Sequence, residues 1–493
     1  MIKYVKHPVE EEISKDYVIK CGDITMEPYH VRVSAMPYNT VWPGRQRPLE
    51  QTELASVVNF EADEKVELEV EVAWDFEEAV IRPLSKNITV EKCGRICKFA
   101  IENPGQYTLE IDGYNKALHI FIDPVIDFVA KTEKVIRYEA GLHYGDIEID
   151  DNTTVIIDRG AILYGNISAY GKENVNIIGY GMIDGSCEKR YNDTLLIPLT
   201  LHACEGPLPV DKEGYDAFCA KEKVLKGNVR FLRCKNCTLK GVTLRDSSTF
   251  SVVPADCDNV LIDGVKIIGM WRYNSDGIDV FNSTNVWIKN SFLRDFDDCI
   301  VIKGIKGWDT RNLENILVEN CVTWCDWGRN LEVGAETNAS QFQNIVFRNC
   351  DCIHGSYCML DIQHHDRADV HHVTFEDIRC EYTKYQMSDV YQSDMSLPYP
   401  NPQPAKHPLL IELPIHGFGG FGYGDMRIGT MHDIIFKNIT VYADDPEVIK
   451  SRFAGWDEVH CIKRVLVSNV TVNGEKVTPK IEIGKFVSDV VIE

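Results

Sequence analysis

Residues 271–304 read WRYNSDGIDVFNSTNVWIKNSFLRDFDDCIVIKG. Two runs in this stretch, 278–280 and 286–288, alternate with a period of two, and each is closed by an Asn-containing turn, the pattern of short β-strands. The stretch also carries three carboxylates: Asp276 in NSDG and the adjacent Asp297 and Asp298 in DDC. If each strand is one rung of a stacked coil, Asp276 and the pair, 21 positions apart, come one rung above the other on the same wall. Carboxylates crowded on one face repel each other, which displaces their pKa values and lets like side chains divide acid and base roles. Singly, each Asp in such a motif is an ordinary turn residue, because its short side chain bonds nearby amides. Three together point to cleavage of a glycosidic bond.

The same unit recurs along the chain: a polar residue, an apolar-x-apolar strand, then a turn. It starts at Asn174, Asn236, Asn259, Asn285, Asn315, Asn344, His372, Asp433 and Arg464. Undisturbed neighbours are 23, 26, 30, 29, 28 and 31 residues apart. One strand type at such a period means stacked coils whose inward Val, Ile, Leu and Phe side chains bury against the rungs above and below. Helical periodicity is nearly absent, which argues against a leucine-rich repeat and against an α/β barrel. The recurring Asn predicts a ladder of stacked amides that satisfies turn backbone. Two steps are double, 62 and 61 residues, and mark insertions near 188–226 and 382–426. Long excursions from a solenoid form loops, either on the functional face or at an oligomer interface.

Residues 1–125 instead show short alternating strands at 29–33, 57–60, 66–72, 79–81, 98–101, 107–111 and 117–121. This spacing predicts a β-sandwich, joined at Ile122, Asp123 and Pro124 to a solenoid over 126–493. Trp42, in a Pro/Gly/Arg loop, either reaches the substrate or packs.

A net charge of −23 disfavours nucleic acid and anionic membranes, and it would also repel an acidic polymer at long range. Residues 1–20 contain no signal-peptide core, and no apolar run approaches a membrane span. Seventeen Cys, an odd number spread throughout, fit reduced buried thiols. A cytoplasmic protein is expected, with no nucleic-acid or membrane partner and a homo-oligomer possible.

The order NSDG, about one coil, DDCI, then a Gly motif at Trp327, Gly328, Arg329 and Asn330 resembles the polygalacturonase family of glycoside hydrolases (family 28) and its dextranase-like relatives, from about Ile136 to the C-terminus. The resemblance implies an all-β protein, a right-handed parallel β-helix behind an N-terminal sandwich. It implies an inverting hydrolase with Asp297 as the acid and with Asp276 and Asp298 holding and activating the water. It further implies a structural role for Asp279 and a substrate contact, or orientation of Asp276, for Asn274. Asp297 and Asp298 share a site only if the chain turns there, because adjacent strand residues face opposite ways.

Two family motifs differ in this chain. Where the family has Gly-His-Gly, this sequence has Gly328, Arg329 and Asn330, and a guanidinium hydrogen-bonds a sugar or depresses a carboxyl pKa but shuttles no proton. Where the family grips a uronate with Arg-Ile-Lys, this sequence has Asp361, Ile362 and Gln363, which suit sugar hydroxyls. A neutral sugar in an oligosaccharide or polysaccharide of pectic or α-glucan type is therefore favoured, with polygalacturonase action on uronate fragments as the alternative.

Trp271, Trp308, Trp324 and Trp327 flank the carboxylates, and Trp308 and Trp327, among polar and Gly residues, are the expected sugar-stacking platforms; Tyr399, His416 and Tyr423 are weaker candidates. His364, on the rung of Asp361, is expected to bind sugar. Cys234/Cys237, Cys321/Cys325 and the His clusters lack the pattern of a zinc site, so neither metal nor cofactor is expected. The rivals are a lyase, which needs Ca²⁺ and a catalytic cation, and a non-catalytic carbohydrate-binding β-helix.

Overall fold

The computed structural model describes residues 1–493 apart from 9, 42–47, 191–210, 309–310, 387–388, 395, 399–405 and 417–426. Trp42, Tyr399 and Tyr423 lie outside the described residues.

Strands from Ile2 to Asp123 form two sheets, one of six strands and one of five. Alternation drives their packing: Val66–Val72 buries every second side chain, as does Ile96–Ile101. Val66, Leu68, Val70 and Phe99 thereby meet Val58, Phe60, Leu109 and Ile120 of the facing sheet in one core.

From Lys134 onward the chain is the expected parallel β-helix. Eleven strands, beginning at Ile147–Glu148 and ending at Ile481–Ile483, stack parallel into one sheet, while a 21-stranded sheet forms the remaining walls. Inward positions line up in register: Ile288 sits over Val318, and Val318 over Phe347. The rings of Phe347, Phe375 and Phe436 continue the file, stacked 4.7 and 4.9 Å apart. Each such aliphatic or aromatic side chain contributes roughly 1.5–3 kcal/mol by leaving water, and the column is therefore stabilised rung by rung.

All nine residues that open the repeat, from Asn174 to Arg464, have positive φ between 53° and 62°. Asn and Asp tolerate this left-handed corner better than most side chains. The predicted amide ladder is present: Nδ2 of Asn236 donates to Oδ1 of Asn174 (3.1 Å), and Asn259 to Asn236 (2.7 Å). A second ladder runs from Asn349 to Asn320 to Asn290 at 2.7 and 3.2 Å.

Neither insertion is wholly loop. The first contains the helix Lys212–Glu222, capped by Asp211, whose carboxylate accepts from the Gly214 N–H. Within the second, Leu409–Pro414 is itself a rung of the 11-stranded sheet, pairing with Cys358–Ile362 and Ser451–Ala454. Its run LLIELP is an alternating strand enclosed by Pro- and Gly-rich sequence, within the span expected to be insertion.

The sandwich packs on the column through Val31, Val57 and Phe121 against Ile268, Phe292, Val322 and Trp324. A buried ion cluster crosses the same interface. Arg82 binds Glu110 (2.7 Å) within the sandwich and Glu381 of the column, while His354 of the column binds Glu110. Tyr38 follows strand Tyr29–Ser34 and brings the sandwich to the carboxylates, its ring 5.4 Å from Phe296 and 6.1 Å from Trp327.

Candidate active site

The carboxylates gather on the outer face of the 11-stranded sheet. In strand Ile278–Phe281 the period of two sends Ile278 and Val280 into the core and leaves Asp279 outside. Register then carries the outward position from Asp279 through Val301, Glu332, Asp361 and Glu412 to Arg452, one residue per rung. Asp276 enters just before its strand. Asp297 and Asp298 occupy the bend between Phe292–Asp295 and Ile300–Gly304, which supplies the turn that two adjacent residues need to share a site. Backbone bonds lock these segments: Gly277 N–H donates to Asp298 O, and Cys299 N–H to Arg329 O, both at 2.8 Å.

Lys303 stands at the centre. Its Nζ lies 2.9 Å from Oδ2 of Asp276, 2.8 Å from Oδ1 of Asp279 and 4.0 Å from Oδ2 of Asp298. Asp298 is held from the other side by the backbone N–H of Arg329 (2.9 Å to Oδ1), with Nη1 of Arg329 3.8 Å away. No cationic side chain lies within 4.0 Å of Asp297 among the described residues. Burial, reinforced by the Asp298 charge, pushes the Asp297 carboxyl up to about 8, against the pull of Lys303 and Arg329. Burial also raises Asp276 and takes Asp279 to about 6, with Lys303 opposing both. Burial thus inclines Asp276, Asp279 and Asp297 all to keep a proton, the first two against a cation in direct contact and Asp297 without one, an arrangement of unequal acids suited to acid–base chemistry.

The other predicted residues divide. Asn274, at φ 55°, shares the partly exposed segment 271–274 with Trp271. Trp327 is partly exposed, stacked on Phe296 (5.6 Å) and 5.5 Å from Tyr273. Arg329, with 21% of its side chain exposed, binds Asp361 through Nε (3.2 Å). Gln363 donates to the same Asp361 oxygen (3.2 Å), and burial pushes Asp361 up to about 7 although Arg329 opposes it.

Trp308 and His364 do not take the expected places. Trp308 is 0% exposed, packed with Phe250, Phe281 and Tyr215 beneath the guanidinium of Arg233. Its polar sequence neighbours concealed an indole that fills the space beside the sheet. Both His364 nitrogens are engaged inside the protein, Nδ1 with the Thr337 hydroxyl (2.6 Å) and Nε2 with Ala368 O (2.8 Å), so His364 braces a turn. Trp324, also among the flanking aromatics, is buried at the sandwich interface.

Three outward-facing residues are not among the residues expected from the sequence: Glu332 and Glu412 of this file, and Lys303, two positions after Val301 on the same strand. Their signal was present, since the period of two in IVIKG, NLEVG and LIELP puts one charged residue outward in each run. Glu332 is fully buried, and among the described residues neither carboxylate oxygen accepts a hydrogen bond, with Nε of Arg329 3.9 Å from Oε1; burial and Asp298 raise its pKa.

A family model described as glycosyl hydrolases family 28 matches residues 199–392, which contain the whole carboxylate cluster except Glu412. Rhamnogalacturonase A of Emericella nidulans is 33% identical over 108 residues, covering 22% of this chain and 19% of that protein. An endo-polygalacturonase of Pectobacterium parmentieri is 29% identical over 227 residues, covering 41% of this chain and 55% of that one. The chain thus spans from a fifth to about half the length of these relatives. Among solved structures, Dex49A from Penicillium minioluteum aligns over 99% of this chain and 96% of its own (TM-score 0.62, 12% identity). An exopolygalacturonase from Thermotoga maritima aligns over 72% and 83% (TM-score 0.52, 17% identity). The resemblance drawn from NSDG and DDCI is borne out by these matches, and the structural likeness carries the β-helix fold.

Proposed function

We propose that the chain is a glycoside hydrolase of the family 28 type, acting with inversion on an α-type bond in a short, neutral oligosaccharide. The observation that carries this is the grouping of Asp276 and Asp298 around Lys303, with Asp297 beside them and outside the cation's contact distance. In that arrangement the protonated Asp297 carboxyl donates to the departing glycosidic oxygen. Asp276 and Asp298 orient a water and take its proton as its oxygen bonds to the anomeric carbon on the opposite face.

The neutral sugar is supported by the next rungs. Glu332, Asp361 and Glu412 form an acidic file, and the cations beside it are engaged: Arg329 with Asp361, Arg452 with Glu412. Hydroxyl groups can hydrogen-bond such carboxyls, protonated or not, whereas a uronate is better matched by cations than by a row of acids. The second reading, hydrolysis of uronate fragments, is favoured by the names of the Pectobacterium and Emericella relatives. All described cysteines are free thiols, which suits a cytoplasmic enzyme meeting imported fragments.

The test is release of reducing ends from α-glucan, rhamnose- or galactose-containing and oligogalacturonate substrates, followed by NMR of the fresh product's anomer. Turnover of neutral substrates with an inverted product is expected. Preference for oligogalacturonate would select the second reading. Binding without turnover, or an unsaturated product, would remove the hydrolase.

A further inference from the structure

We propose that Lys303 is a positioning residue that fixes which carboxylates serve as the base: its ammonium gathers Asp276 and Asp298 on one side of the site and leaves Asp297 to hold the proton. The inference rests on the hydrolase reading above and deepens it.

The geometry is specific. Lys303 is the fourth residue of strand Ile300–Gly304, facing outward beside Phe281 of the rung before, and its side chain is 5% exposed. It reaches Asp276 at 2.9 Å, Asp279 at 2.8 Å and Asp298 at 4.0 Å, with the Phe250 ring 4.6 Å from Nζ on another side. Glu336, on strand Arg329–Thr337, adds to the negative field on the ammonium. Among the described residues, Arg230 also acts on Asp279, and Arg329 stands beside Asp298. Lys303 is therefore the cation placed between the two proposed base residues.

A buried acid that must be ionised needs a compensating charge, and a cation within about 4–6 Å favours the charged form by roughly 1–3 pKa units. Asp279 competes for the same ammonium. It is fully buried and meets Lys303 at the shortest of the three distances, so it anchors the lysine and also draws on its charge.

The experiment compares wild type, Lys303→Met, Lys303→Arg and Asp279→Asn through the pH dependence of kcat/KM, the division of any loss between kcat and KM, and titration of Asp carboxyl groups by ¹³C NMR. Without the ammonium the base ionises only at higher pH. The acid limb of Lys303→Met should rise by about one unit or more, with kcat down about 100-fold and KM little changed. Lys303→Arg should recover part of kcat and return the limb toward its original place. Asp279→Asn removes the competitor and should move the limb the other way, toward lower pH, which keeps the test decisive should Lys303→Met fail to fold.

Unmoved limbs in the folded variants, or a loss confined to KM, would overturn the proposal. The carboxyl titration separates this failure from failure of the hydrolase reading. Wild type inactive on every glycan, with carboxyl titrations that still move up in Lys303→Met and down in Asp279→Asn, removes the hydrolase and leaves the charge-holding role standing. Active wild type with unmoved titrations does the reverse.

Discussion

The backbone N–H of Arg329 donates to Oδ1 of Asp298 at 2.9 Å, so the bend of one rung is fastened to the first strand residue of the next. Gly328 makes the approach possible, for a Cβ there would lie 2.5 Å from Oδ1 and 2.6 Å from the backbone N of Asp298. Gly328→Ala is therefore expected to displace Asp298 and reduce kcat by about 100-fold, the scale on which misplaced groups lose rate. A circular dichroism spectrum like that of wild type would show the fold retained, and near-normal kcat would contradict the proposed role of Asp298.

Asp297→Asn should fold normally and lose about 10²–10⁴-fold in kcat, the range of a missing general acid. In wild type, Asp297 must be protonated to act. With its pKa pushed up to about 8 by burial and by Asp298, activity should persist through neutrality and decline as pH rises through about 8. This alkaline limb should be absent from the residual rate of the Asn variant.

The two tryptophans should separate stability from binding. Trp308→Ala opens a cavity in a fully buried cluster and should cost about 3–5 kcal/mol in chemical denaturation. Trp327→Ala, at a partly exposed position, should raise KM several-fold with a smaller stability loss. A rise in KM confined to the Trp308 variant would reverse the assignment.

At the lobe interface, burial works against the charge of Glu110, but Arg82 and His354 outweigh it and hold the group at about 2. A folded pKa below the ordinary value of 4.5 contributes stability that is fully present above 4.5 and is lost as pH falls toward 2. Glu110→Gln should therefore lower stability near neutrality by about 3–5 kcal/mol and flatten the acid side of the Tm–pH curve. An unchanged acid slope would show that other groups govern acid unfolding.

The solenoid was legible because its cause is periodic: each rung repeats the same inward pair, and each opening residue takes the same left-handed corner. Asp276, Asp297 and Asp298 were legible because they stand at rung boundaries with local motifs. Lys303 and Glu332 sit within apolar strands, where only the period of two marks a charged residue as outward, and their importance comes from neighbours a rung away. Trp308 misled for the opposite reason. Its polar neighbours along the chain say little about the Tyr215 and Phe250 side chains that enclose it, which come from the insertion helix Lys212–Glu222 and from the turn before strand Val252–Ala255. His364 likewise owes one of its partners, Thr337 of the rung before, to tertiary packing, while Ala368 O is reached within its own turn.

The left-handed asparagine corners have a consequence for changing the length of the protein. Because Asn236 must meet Asn174 and Asn259 must meet Asn236 across the stack, a single-residue deletion inside a strand would break the amide contacts and send that rung's inward side chains to solvent. Deleting or duplicating a whole turn, corner to corner, would preserve both. The column can be edited as a string of interchangeable units, and its tolerance should be counted in complete circuits of the chain.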